Sequence, residues 1–344
     1  MCDLYLGATR ATAPSTPFWA NPSIQSSTYT FVRGSTYTID VQLQNHDSTP
    51  TGTCSSATVN LYWSDPTTSF LILATHQLAA VGLSAMPVPQ ATTLPAADGS
   101  ALFAFTWTPD ATVVGGDPSD SGHVCLAAIA QSNSTDCIAP APTLPGQTAA
   151  TGSPLVAIHN VHVIDPPMGG IKPWPFVFGA ANGGSIAGKT RLVARAYDPK
   201  IEEDRVRILA LVAMPAVRAA VGRMAKFAVP AEVHLAVGRE TVVVPHLVRA
   251  GQIAPRLGHT GVVAAEVVDD LVSRQWIKVP GGQSAIKEVE LVPRQIQQAA
   301  IQVTPSSEQG HVYAVEVRHE LVTSAAPVLL GGMTVVFVSA TQPW

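Results

Sequence analysis

From Tyr37 to Gln44 every second residue is apolar: Tyr37, Ile39, Val41 and Leu43 alternate with Thr38, Asp40, Gln42 and Gln44. That period of two predicts a half-buried antiparallel strand. Val59, Leu61 and Trp63 repeat the pattern, as do Phe103, Phe105 and Trp107, which run into Thr108-Pro109-Asp110. His123 to Ile129 is apolar on both parities and reads as a central strand, and Leu155 to Ile164 reads as one last strand. Turn-forming clusters separate these runs, among them 45–50 and 115–118. About seven short strands in roughly 150 residues is the spacing of an immunoglobulin-like β-sandwich.

The second half begins in the same way, with strands expected at Phe176–Gly179 and Thr190–Tyr197. The period then changes. Between Glu202 and Lys226, Val206, Leu209, Val212 and Met214, then Val217, Val221 and Met224, recur at helical spacing, and Pro215 splits or kinks the stretch. Strand patterning returns at Val233–Val237 and is expected again at Thr241–Pro245, Val262–Val268, Ile286–Leu291, Ala299–Val303, His311–His319 and Met333–Val338. The expected fold is mainly β: two immunoglobulin-like β-sandwich domains, the second with a helical insertion near 202–226.

Charge sharpens the division. Residues 1–170 contain no lysine and no glutamate, only two arginines against ten aspartates; residues 171–344 carry eighteen basic against fourteen acidic residues. The break falls at Pro166-Pro167-Met168-Gly169-Gly170, so the domains are placed at 1–166 and 167–344. Charged residues make up only 13% of the chain and hydrophobic residues 47%. So little charge suits either a surface rich in Ser, Thr, Asn and Gln or one buried against other subunits. A net charge of −4 with no dominant basic patch speaks against nucleic acid. No apolar run is long enough to span a bilayer. The first residues, Met1 to Leu6, lack the basic start and apolar core of a Sec-type signal, which places the protein in the cytoplasm or among assemblies exported without a cleaved leader. Of the four cysteines, Cys125 and Cys137 are spaced to face each other across adjacent strands and are a candidate disulfide.

Residues 37–66 (YTIDVQLQNHDSTPTGTCSSATVNLYWSDP), 103–109 (FAFTWTP) and 122–129 (GHVCLAAI) together resemble bacterial immunoglobulin-like modules of the CARDB, or cell-adhesion-related, type. The opening 3–25 also looks like the leading segment of such proteins, so the resemblance covers roughly residues 3–165. It implies an adhesion or scaffold role and brings no catalytic residues with it.

One motif with chemistry in it stands out. Gly183 to Thr190 matches the P-loop pattern, with Gly183, Gly188, Lys189 and Thr190 in the phosphate-binding positions, and Val262–Asp269 could stand as its acidic strand. A P-loop must lead from a strand into a helix whose N-terminus meets the phosphate. Here Leu192, Ala194 and Ala196 alternate as in a strand, so a Gly-rich hairpin turn is expected instead. His159 and His162 are three apart, which on one strand puts them on opposite faces and rules out a shared ion. Arg318-His319-Glu320 would need a serine brought in by folding. The acids at 202–204 and 269–270 read as solvated charge, the first set at a helix start. Trp63 and Trp107 belong to strand faces, whereas Trp19, Trp174 and Trp344 sit in Pro-rich or terminal segments and are candidate interface anchors.

The expected function is therefore non-enzymatic: a structural or binding protein that self-assembles, as a homo-oligomer or with other structural subunits, or adheres to a surface or glycan. No cofactor, metal, nucleic acid or membrane insertion is expected. The alternatives are a nucleotide-binding protein centred on Gly183–Thr190 and a carbohydrate-binding accessory protein.

Overall fold

The computed structural model describes residues 4–6, 19–28, 31, 34–45, 54–64, 68, 77–80, 90–94, 99–109, 124–132, 155–164, 174–181, 188–222, 226–243, 277–291, 295–306 and 310–338. The first half contributes β1 (Leu4–Tyr5), β2 (Ile24–Ser26), β3 (Tyr37–Asn45), β4 (Cys54–Ser64), β5 (Ala79–Ala80), β6 (Gln90–Leu94), β7 (Gly99–Trp107), β8 (Cys125–Ser132) and β9 (Val156–His159). The second half contributes β10 (Val161–Ile164), β11 (Trp174–Ala181), β12 (Gly188–Ala196), α1 (Glu202–Ala213), α2 (Pro215–Val221), β13 (Lys226–Phe227), β14 (Glu232–Val243), β15 (Ile277–Pro280), β16 (Ser284–Leu291), β17 (Gln295–Thr304), β18 (His311–Leu321) and β19 (Val328–Val338).

The protein is mainly β, as the alternation predicts. In the first half, the sheet β1-β3-β7-β5, with β2 also on β3, faces the sheet β6-β4-β8-β9. The alternate residues of β3 and β7 form one wall of the core: Ile39, Val41 and Leu43 with Phe103, Phe105 and Trp107. Val59, Leu61 and Trp63 of β4 form the other. Trp63 stacks on Trp107 with centroids 5.9 Å apart. β8, between β4 and β9 in its sheet, is buried on both parities, as its unbroken apolar run predicts.

The second half repeats the plan. The sheet β10-β19-β18-β12-β16 faces β11-β17-β14-β15. Between them lie Phe176 and Phe178, Leu192, Leu235, Ile301, Tyr313, Val315, Val335 and Phe337. Gly281 and Gly282 turn the chain from β15 in one sheet to β16 in the other. Gly282 sits at φ 85°, and a Cβ on Gly281 would fall 1.7 Å from the Pro230 carbonyl oxygen, so both places require glycine.

The expected helices form but end at Val221, and Lys226, expected to close the helical stretch, opens β13 instead. Glu202, Glu203 and Asp204 occupy the first turn of α1, where acids complement the helix dipole. Pro215 sits at the start of α2, the position it tolerates, and Met214 between the helices is extended. The two helices do not cap the second core. Ile208, Leu211, Val217 and Val221 join the first half's apolar cluster, together with Val312, Ala314, Val336 and Val338 on the outer face of β18 and β19. The helices are thus wedged between the first sandwich and the back of the second.

Two strand expectations need correction. Leu155–Ile164 is not one strand: it breaks at Asn160, with β9 antiparallel to β8 and β10 parallel to β19. The apolar run is continuous because both pieces are buried, each in a different sheet. Thr241–Val243 is not a separate strand but the end of β14, continued past a register shift between Val237 and Thr241. Val262–Val268 lies outside the described residues.

Candidate functional site

Of the P-loop-like stretch, the described residues begin at Gly188 and are strand. Gly188, Lys189 and Thr190 open β12, which continues as strand to Ala196 between β16 and β18. No helix N-terminus follows. Thr190 is fully buried, and its hydroxyl donates to the Val289 carbonyl (2.9 Å). Gly183 lies outside the described residues, as do Val262–Asp269.

The polar groups with chemical potential gather instead where the two halves meet. Asn160, at the break between β9 and β10, is the centre of the first cluster. Its backbone N–H donates to Trp19 O (2.7 Å), and its carbonyl accepts from Thr334 N (3.0 Å). Its side-chain N–H donates to Gly332 O (2.8 Å). Its Oδ1 accepts from Cys125 Sγ (2.7 Å) and from His162 Nε2 (2.6 Å), which fixes the proton of His162 on that nitrogen. Cys125 therefore carries its thiol into this bond, and Cys137 lies outside the described residues. The Trp19 ring covers Gly332 so closely that a Cβ there would lie 2.6 Å from it, and the indole N–H donates to Thr334 Oγ1 (3.2 Å). Cysteine, histidine and asparagine converge, but not as a nucleophile and its base. Both Cys125 and His162 point at the amide oxygen rather than at each other, and all three are at most 3% exposed.

The second cluster centres on His319. Its Nδ1 lies 3.1 Å from Ala181 O, which can only accept, so Nδ1 carries the proton. The same nitrogen is 3.0 Å from Thr68 Oγ1, and Nε2 is 2.8 Å from Thr190 Oγ1. Thr68 comes from the first half, yet its backbone N–H donates to Gly179 O (2.8 Å) and its hydroxyl accepts from Ala181 N (3.1 Å) at the end of β11. Burial pushes His319 down to about 4 and His159 down to about 3, while bonds with the Ala181 and Asn21 backbones oppose each shift. His319 points inward, so its neighbours Arg318 and Glu320 are not a dyad with it. They face the other side of β18, where Arg191 donates to Glu320 (2.7 Å) and Arg318 lies between Glu316 and Glu320.

That outer face holds α1 in place. Glu316 accepts from the Tyr197 hydroxyl (2.6 Å) and from Arg207 (2.8 Å). Burial and then the Glu316 charge push the Tyr197 phenol well above its ordinary value. Arg195 pairs with the fully buried Asp204, which also accepts from Asp198 N (2.9 Å). The acids at 202–204 therefore divide: Glu202 and Glu203 are exposed partners of Arg205 and Arg207, while Asp204 is an interior anchor.

Of the candidate interface tryptophans, Trp19 is 2% exposed and occupied inside its own chain. Trp174 opens β11, paired with Val303, and Trp344 lies outside the described residues. Among the described residues the exposed large apolar side chains are Leu102, Ile201, Leu209, Ile286, and Val322 and Val328 at the β18–β19 hairpin tip. No described helix is long and apolar enough to cross a membrane. Sequence reasoning missed Thr68, Asn160, Gly332 and Thr334, because a lone small or polar residue in a loop or strand carries no motif.

No protein-family model matches the chain, and no curated protein matches its sequence. Among solved structures it is similar to the collagen adhesin of S. aureus, at 7% identity over 91% of each chain with a TM-score of 0.24. It is similar to the CupB6 tip adhesin of Pseudomonas aeruginosa, at 9% identity over 99% of this chain and 98% of that one with a TM-score of 0.23. It is also similar to the secreted serine protease VesC of Vibrio cholerae, at 10% identity over 83% of this chain and 47% of that one with a TM-score of 0.19. Superpositions this distant carry no argument about function.

Proposed function

We propose that the chain is a non-enzymatic structural or adhesive protein: two β-sandwich modules, the first of CARDB type, held at a fixed angle and working by contact. The observation that carries this reading is the use made of its reactive groups. Cys125, His162, Thr190, His319 and Glu316 are bonded within the chain at low exposure, where they join halves and dock helices. Ground-state bonding of this kind serves rigidity.

Self-association belongs to the same reading. β16 closes its sheet with Lys287, Glu288 and Glu290, charges that oppose edge-to-edge pairing. Contact between copies is better served by the exposed Val322 and Val328. Native mass spectrometry over a range of concentrations, paired with a glycan array, tests the proposal. The expected result is oligomers that Val322→Asp with Val328→Asp dissociates, or binding to a surface glycan. A strictly monomeric chain that binds nothing on the array overturns it.

A further inference from the structure

β12 and β16 lie side by side at one margin of the second sandwich. Along β12, Leu192, Ala194 and Ala196 enter the core, so Lys189, Arg191, Val193 and Arg195 point outward. Along β16, Ala285, Val289 and Leu291 enter the core, so Ile286, Glu288 and Glu290 point outward. The register sets one outward column beside the other: Lys189 is level with Glu290, Arg191 with Glu288 and Val193 with Ile286. One column reads basic, basic, apolar, and its neighbour reads acidic, acidic, apolar. α1 docks on this face at the Arg195 level, through Asp204. Further along, Lys189, Glu288 and Glu290 are exposed and Ile286 is 47% exposed. Arg191 pairs with Glu320, whereas Lys189, Glu288 and Glu290 have no ion-pair partner among the described residues.

Given the self-association proposed for the chain, on which this rests, we propose that two copies stack face to face through β12 and β16, about a two-fold axis that runs along the strands between them. Such an axis carries β16 of one copy over β12 of the other without changing the level along the strand. Glu290 then lies over the partner's Lys189, Glu288 over the partner's Arg191 and Ile286 over the partner's Val193, and symmetry repeats each contact. Two stacked sheets stand about 10 Å apart, a gap that extended Glu and Lys side chains fill from both sides. Glu290 and Lys189 gain in the dimer the opposite charges they lack within the chain, and the Ile286 side chain leaves water. Other placements forfeit this match. Pairing edge to edge sets the acidic column of β16 against itself, and an axis centred on β12 stacks the basic column on itself. Val322, whose N–H donates to Lys189 O (2.9 Å), stands at the rim of the same face.

Charge exchange at one level tests the axis, with the full chain followed by sedimentation and native mass spectrometry over a range of concentrations. Lys189→Glu and Glu290→Lys each set like charges over one another at two symmetry-related places. Either alone is expected to weaken dimerisation about 100-fold. Mixed in equal amounts, the two variants should form a heterodimer at close to the parent affinity, because each supplies the charge the other has lost. Ile286→Asp, at the apolar level, is an independent arm and should also dissociate the dimer. Single variants that dimerise as tightly as the parent, or an equal mixture that stays monomeric, overturn the interface. Oligomers that ignore all three substitutions yet fall apart with Val322→Asp and Val328→Asp leave self-association standing and remove this face from it. A chain that is monomeric at every concentration overturns both.

Discussion

Gly332 shows how one missing side chain can hold two halves together. Its bare backbone lets the Trp19 ring lie within van der Waals contact of β19 and lets its carbonyl reach the Asn160 amide. Gly332→Val is expected to expel the indole and cost about 3 kcal/mol, measured as a fall in urea midpoint at pH 7.5. The same variant in a Trp19→Ala background should add little, because the clash is gone, and that non-additivity is the signature of the contact. Asn160→Ala removes the acceptor of Cys125 and His162 and the donor to Gly332 in one step. Leaving those buried groups unsatisfied should cost about 3 kcal/mol or more. If the measured loss is no greater than at an exposed asparagine, the junction is not organised by this residue.

At the scale of elements, the best-read pieces are those whose periodicity has one cause. β3 follows strict alternation because one face meets the core and the other meets solvent. The helix lies where the spacing put it and Pro215 divides it where its missing N–H costs nothing, but α1 buries Asp204, Ile208 and Leu211 while Leu209 of the expected face is exposed. Continuous burial erases the pattern. β9 and β10 read as one strand because His159 and His162 are both buried, in different sandwiches. Downstream of the P-loop-like motif, Leu192, Ala194 and Ala196 alternate into the core as expected of a strand. What anchors α1 was not legible at all, since Arg195 lies on β12 and nothing local marks Asp204 among three adjacent acids. Asp204→Asn should therefore cost about 3 kcal/mol and weaken the helical circular dichroism signal, because it leaves Arg195 without its buried partner. Glu202→Gln, on the exposed pair with Arg205, should stay within about 0.5 kcal/mol. Equal effects of the two would mean that Asp204 does not dock the helix.

For the whole molecule, stability against acid follows from where the histidines lie. His159 sits on the core side of the first sandwich, paired with Leu126 and clasped by Ala20, and His319 lies inside the second. In the unfolded chain both rings take up protons as the pH falls through about 6.5; in the folded chain they do so only near 3 and 4. Unfolding therefore binds protons throughout that window, so stability is complete above pH 6.5 and declines below it. At pH 5 each ring removes about 2 kcal/mol. Because the two sit in different sandwiches, their effects should add to about 4 kcal/mol. Urea midpoints compared at pH 7.5 and 5 check the sum, and His159→Gln should recover about half of it. A chain equally stable at both pH values would show that these rings are hydrated in the folded protein, contrary to the buried positions that join its two halves.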